Sequence, residues 1–151
     1  MRGSDGIARY QDRPPSVVEM LRRTVEAAPQ SEAIVEVGSE RINYRDLWDR
    51  AARVAGGLQA LGIERADRVA IRLGNGLKWC VAFFGIELAG AIAVPVNTRF
   101  TDAEVEYVIN DSGSKFVCLP NEPLPDGPAL AVENLQSEDI AAIFYTSGTT
   151  G

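Results

Sequence analysis

Between Arg68 and Val96 the chain runs from an apolar stretch through a helical one into a second apolar stretch. A strand, a helix and a strand in about thirty residues is the size of a βαβ unit, whose crossover is right-handed. That one feature rules out an all-helical bundle and an antiparallel sandwich and predicts a parallel sheet. The first strand is expected over Arg68–Leu73, and Gly74-Asn75-Gly76 turns the chain into the helix. Leu77, Cys80, Phe84 and Leu88 are expected to line the apolar side of that helix, with Trp79 and Phe83 beside them. Gly90 ends it, and Ala91–Val96 is the second strand, closed by Pro95. A doubly wound sheet holds ligands at the carboxyl ends of its strands, which is where Gly74-Asn75-Gly76 falls. The run lacks the rest of a dinucleotide fingerprint, so a structural turn is the better reading.

The flanking segments supply partners for this unit. Residues 1–15 are polar, end in Pro14-Pro15 and are expected to form a loose arm. Ser16 with Glu19 is a capping-box pattern, and Val17, Leu21 and Val25 follow at helical spacing. Ala33–Val37, the turn Gly38-Ser39 and Arg41–Tyr44 read as a hairpin. The strongest helical period follows: Leu47, Ala51, Val54, Leu58 and Leu61, capped by Asn43 and ended by Gly62. Gly56-Gly57 inside it costs up to about 1 kcal/mol per glycine relative to alanine. Close packing against the sheet is the expected compensation.

Thr101 and Glu104 form a second capping box, opening a helix with Val105, Val108 and Ile109 inward and Gly113 at its end. Phe116–Leu119 reads as a strand. Residues 120–136, with prolines at 120, 123, 125 and 128, read as a surface connection long enough to be partly mobile. Asn97, Thr98 and Arg99 lie at a strand end but read as a loop that begins the next helix. The whole is an α/β chain: a mostly parallel sheet flanked by helices and entered through a small hairpin.

Composition narrows function. A length of 151 residues is one domain or part of one. The net charge of −6 makes nonspecific nucleic-acid binding a poor fit. With no histidine, His-based triads, general bases and metal sites are all excluded. Cys80 and Cys118 sit among apolar neighbours and read as reduced core thiols. No apolar run approaches membrane-spanning length and no signal-peptide core is present, so a cytoplasmic location is expected.

The last apolar run, Ile140–Tyr145, reads as a buried strand that empties into Thr146-Ser147-Gly148-Thr149-Thr150-Gly151. Gly148 and Gly151 let the backbone approach a ligand closely, and the hydroxyls and successive N–H groups can surround an anion. This is not the Walker pattern, because the glycines are too close together and no lysine follows. On composition alone a flexible turn remains open.

Tyr145–Gly151 resembles the phosphate-loop motif of the adenylate-forming enzymes, the family of acyl-CoA synthetases, luciferases and peptide adenylation domains. Their motif continues x-Pro-Lys-Gly, which lies beyond this chain. Ile42-Asn43-Tyr44-Arg45-Asp46-Leu47 is similar to the family's Leu-Thr-Tyr-x-Glu-Leu stretch, and Ala89–Asn97 to its Ala-Gly-Ala-x-x-Val-Pro-Val-Asn strand. Both read as scaffold. The resemblance implies that residues 16–151 are the first, incomplete portion of the large AMP-binding domain, with the C-terminal domain absent. It implies a fatty acid–CoA ligase using ATP, Mg²⁺ and CoA, with Thr146, Ser147, Gly148, Thr149, Thr150 and Gly151 on the ATP phosphates. No catalytic residue and no metal ligand are assigned within the chain, which alone is expected to be inactive. Loading of a carrier protein, and a truncated homologue that binds nucleotide or a partner without adenylation, stay open. The expected partners are a carboxylic acid, ATP, CoA and the remainder of the same enzyme; a homodimer is left open.

Overall fold

The computed structural model describes residues 12–146. Its elements are helix α1 (Val17–Ala27), strands β1 (Glu32–Val35) and β2 (Arg41–Asn43), helix α2 (Tyr44–Ala60), strand β3 (Arg68–Ile71), helix α3 (Leu77–Leu88), strand β4 (Ile92–Pro95), helix α4 (Asp102–Ser112) and strand β5 (Ser114–Cys118). β1 and β2 make a separate antiparallel hairpin. β3 lies between β4 and β5 and runs parallel to both. The expected βαβ unit is therefore β3-α3-β4, and α4 supplies the return to β5.

The strand period of two sorts the sheet's side chains between two layers. Val69, Ile71 and Ala93 enter a core shared with α2 and α3. Ala70, Val94 and Val96 face the other way and meet Val105 and Val108 of α4. Both faces are covered, as a parallel sheet requires.

Local signals place most helix ends. Asn43 Oδ1 accepts the Asp46 N–H at 2.8 Å at the start of α2. Gly62 follows the α2 C-cap at φ +83°, a conformation that favours glycine. Thr101 and Glu104 close a complete capping box on α4. Ser16 accepts from Glu19 N–H at 3.1 Å, but the Glu19 carboxylate turns to Arg23 at 2.9 Å, so that box is half formed.

Several expectations need correction. The buried stripe of α1 is Val18, Leu21 and Val25; Val17, the first helical residue, is only half-buried. β1 stops at Val35, and Val37 stands exposed at the hairpin turn. Leu61 is exposed because α2 has already ended. Helix α3 is wedged between α2 and the sheet. Its buried residues are therefore Leu77, Val81, Ala82, Gly85, Ile86, Glu87 and Leu88, so Leu77 and Leu88 face inward as expected while Cys80 and Phe84 are half-buried at the flank. Trp79 and Phe83 stack at 5.3 Å along that flank.

The glycine pair of α2 does not pack on the sheet. It packs on residues 125–128, where a methyl group on Gly56 would overlap the Pro128 carbonyl and one on Gly57 the Asp126 backbone. The proline-rich connection is thus a strap across α2. Gly127 N–H donates to the Arg53 carbonyl at 3.0 Å and Leu130 N–H to the Ala52 carbonyl at 2.9 Å. Val132 N–H reaches the Leu88 carbonyl at 2.7 Å, and Arg53 pairs with Asp126. Leu130, Ala131 and Leu135 pack onto the core beneath.

The last segment is not a buried strand. It makes one parallel bridge, Ala93 to Ala142, at the outer edge of β4, and Ile140 and Phe144 are exposed. An edge segment has a neighbour on one side alone, which leaves part of its apolar pattern uncovered. Among the described residues no helix is long and apolar enough to cross a membrane.

Candidate functional site

The edge segment delivers the chain to the Thr/Ser/Gly run. Ala93 N–H donates to the Ala141 carbonyl and Ile143 N–H to the Ala93 carbonyl, each at 2.9 Å. The direction is parallel to β4, so the backbone heads toward the carboxyl ends of the strands. Tyr145 then folds onto α4. Its ring joins the cluster around Val94, Val105 and Val108 and meets the Tyr107 ring edge-on at 6.4 Å. Its hydroxyl donates to Asp111 Oδ2 at 2.6 Å. That bond to a carboxylate, with a smaller contribution from burial, pushes the phenol up to about 12. The hydroxyl therefore stays a proton donor throughout the neutral range.

Of the six residues expected on phosphate, Thr146 is described and exposed. Ser147, Gly148, Thr149, Thr150 and Gly151 lie outside the described residues. Gly74 and Asn75 are exposed and make a turn between β3 and α3, in keeping with a structural role. Asn97 Oδ1 accepts the Arg99 N–H at 3.0 Å, a local turn that leads toward α4. Two cations near the strand ends are committed to structure. Arg72 pairs with Asp102 at 3.1 Å. Lys78 Nζ donates to three backbone carbonyls, Leu119 at 3.0 Å, Pro120 at 2.8 Å and Glu122 at 2.5 Å. An ammonium with three donors so placed is saturated and holds the chain after β5 rather than a ligand.

Both cysteines are free, Cys118 buried and Cys80 half-buried, as expected of core thiols. Burial pushes the Cys118 thiol up to about 11 and raises that of Cys80, so neither is a ready nucleophile. Among the described residues no group of three or more His, Cys, Asp or Glu side chains gathers as a metal site.

A cavity of about 570 Å³ lies at the opposite, amino end of the sheet, bordered by Arg13, Met20, Arg65, Glu87, Asp139 and Ile140. None of the described motif residues borders it. Glu87 was not singled out by the sequence, although a lone acid in the apolar run Val81–Leu88 is the available signal. It is 4% exposed, and its Oε1 has no hydrogen-bond partner among the described residues. Burial pushes its carboxyl up to about 8. Asp111 also escaped notice, because no local pattern links it to a tyrosine 34 residues later.

A parallel sheet with helices on both faces places the chain among the α/β proteins. Comparison with protein families narrows this. Residues 21–133 match the AMP-binding enzyme family, and the chain belongs to it. It is 35% identical over 163 aligned residues to the long-chain-fatty-acid–CoA ligase FadD13 of Mycobacterium tuberculosis, an alignment covering 87% of this chain and 32% of that protein. It is 38% identical over 109 residues to the long-chain-fatty-acid–CoA ligase of Escherichia coli O157:H7, covering 72% of this chain and 19% of the relative. Among solved structures, the inhibitor-bound N-terminal domain of FACL13 from Mycobacterium tuberculosis superposes with a TM-score of 0.76 at 32% identity. That match covers 91% of this chain and 42% of the other. The chain thus spans a third or less of the length of these curated relatives. The expected family and α/β architecture both hold.

Proposed function

We propose that residues 16–151 form the first portion of the large domain of an ATP-dependent fatty acid–CoA ligase acting in the cytoplasm. The observation that carries this is the run Tyr145–Gly151, in a chain 35% identical to a long-chain-fatty-acid–CoA ligase. In the first half-reaction a carboxylate attacks the α-phosphate of ATP and pyrophosphate leaves; in the second, the thiol of CoA displaces AMP. The first half must bring an anion to a polyanion. Backbone N–H groups and the hydroxyls of Thr146, Ser147, Thr149 and Thr150 would hold the β- and γ-phosphates, fix the α-phosphate in line and stabilise the leaving pyrophosphate. Gly148 and Gly151 would let the backbone close on those oxygens. Magnesium, when bound, supplies further charge neutralisation. On this reading it would bind the phosphates with only a few protein ligands.

The test uses the full-length protein that contains this chain. Fatty-acid-dependent ATP–pyrophosphate exchange and formation of a CoA thioester are expected. Thr149→Val and Thr150→Val each remove a hydroxyl donor while keeping shape. A lost charge-assisted hydrogen bond costs roughly 1.5–3 kcal/mol, or about ten- to hundredfold in adenylation. Thioester formation from supplied acyl-adenylate needs no β- or γ-phosphate and should change little. Equal losses in both halves would refute the phosphate reading.

A further inference from the structure

Beyond Ile143 no backbone ladder bond holds the chain among the described residues, and both Phe144 and Thr146 are exposed. Tyr145 between them is fixed by its side chain instead. Tyr107 and Asp111 are four apart on α4, so they lie on one face of the helix, one turn from each other. Tyr107 meets the Tyr145 ring edge-on, and Asp111 takes its hydroxyl at 2.6 Å, the short distance of a hydrogen bond to a charged acceptor.

We propose that Asp111 and Tyr145 are positioning residues for the nucleotide: their side-chain tether anchors to α4 the residue from which Thr146–Gly151 departs. The inference rests on the phosphate-loop reading above and adds what holds the root of that loop. A chain segment that binds an anion gives up the conformational freedom of the residues it orders. Fixing its root beforehand lowers that loss and so favours binding. The tether touches no reacting atom. Once the nucleotide is bound, the contacts made by the loop itself hold the geometry. Its removal should therefore appear in the KM for ATP far more than in kcat.

The experiment is ATP titration of the adenylation half-reaction in the full-length protein. Tyr145→Phe keeps the ring and deletes the donor; Asp111→Leu deletes the acceptor; Asp111→Asn keeps an acceptor oxygen. Tyr145→Phe and Asp111→Leu should each raise the KM for ATP about tenfold, with kcat within about twofold. The double variant should be no worse than either single one, since both remove the same bond. Asp111→Asn should recover most of the loss. Thioester formation from supplied acyl-adenylate should be unchanged. If Asp111→Leu folds poorly, as a melting curve would show, Tyr145→Phe with Asp111→Asn carries the test, and faster hydrogen exchange at the Ile143 amide of Tyr145→Phe reports the lost anchor directly. An unchanged KM in Tyr145→Phe, or equal losses in both half-reactions, would overturn the tether while leaving the phosphate loop standing. A wild-type protein with neither pyrophosphate exchange nor an ATP-induced rise in Tm would overturn the phosphate-loop reading and the tether with it.

Discussion

Replacing Glu87 should stabilise the folded chain, and by an amount that depends on pH. The carboxyl is almost fully buried at the amino end of the sheet, with one oxygen unpartnered among the described residues. Burial moves its titration from an ordinary value of 4.5 to about 8. In the unfolded chain the proton leaves near pH 4.5; in the folded chain it is retained until near pH 8. Stability is therefore highest below the unfolded value, falls as pH rises between the two, and is flat above about 8. At about 1.36 kcal/mol for each pH unit, the loss reaches roughly 3 kcal/mol at pH 7. Glu87→Leu removes the titrating group and keeps much of the volume. Urea unfolding at pH 4.5, 7 and 9 should show the variant gaining on the wild type by about that amount between the first two, and by somewhat more at the third. The groups around the cavity decide the outcome. Arg65 pairs with Asp139 at 2.7 Å, and Arg13 borders the same space. A gap between variant and wild type that does not change with pH would show that Glu87 ionises normally, through one of these guanidiniums or through water. The burial reasoning would then be wrong.

Two further outcomes follow from packing and capping. Gly57→Ala should destabilise the chain by about 2 kcal/mol or more, because the added methyl meets backbone of the strap rather than a movable side chain; Gly74→Ala, which meets nothing within 4 Å, is the control, and denaturant midpoints compare them. Thr101→Ala should cost about 1 kcal/mol of stability. It should also let the Glu104 carboxyl, now held low by its bonds to Thr101, titrate closer to the ordinary range, as side-chain NMR would show.

Features that depend on residues a few positions apart were legible in the sequence. The caps at Asn43 and Thr101, the stops at Gly62, Gly90 and Gly113, and the strand-helix-strand order of β3, α3 and β4 all sit where the local pattern puts them. What the sequence hid is nonlocal. Residues 120–136 have the composition of a free connection, and nothing near them says that the N–H groups of Gly127 and Leu130 donate to carbonyls of α2. Likewise the Gly56-Gly57 pair announces a close approach but not its partner. The face of α3 was half read, with Leu77 and Leu88 buried but Cys80 and Phe84 at the flank, because a helix with neighbours on two sides has no single apolar stripe. Of the expected phosphate contacts, only Thr146 is described, and the link that anchors its neighbour Tyr145 joins side chains from two distant elements.

The strap also has a meaning for how the chain is made. Arg53 and Asp126, the ion pair at its centre, are 73 residues apart. At synthesis rates of about 5–20 residues per second, α2 waits roughly 4–15 s for its cover. Throughout that interval two adjacent glycines, the residues least able to sustain a helix apart from proline, lie bare in the middle of α2. The nascent helix is thus weakest at the place where the ribosome has yet to deliver its partner. A pause in translation ahead of residue 125 would lengthen the exposure, whereas an insertion among residues 125–130 would disturb the cover over Gly56 and Gly57 in the finished protein.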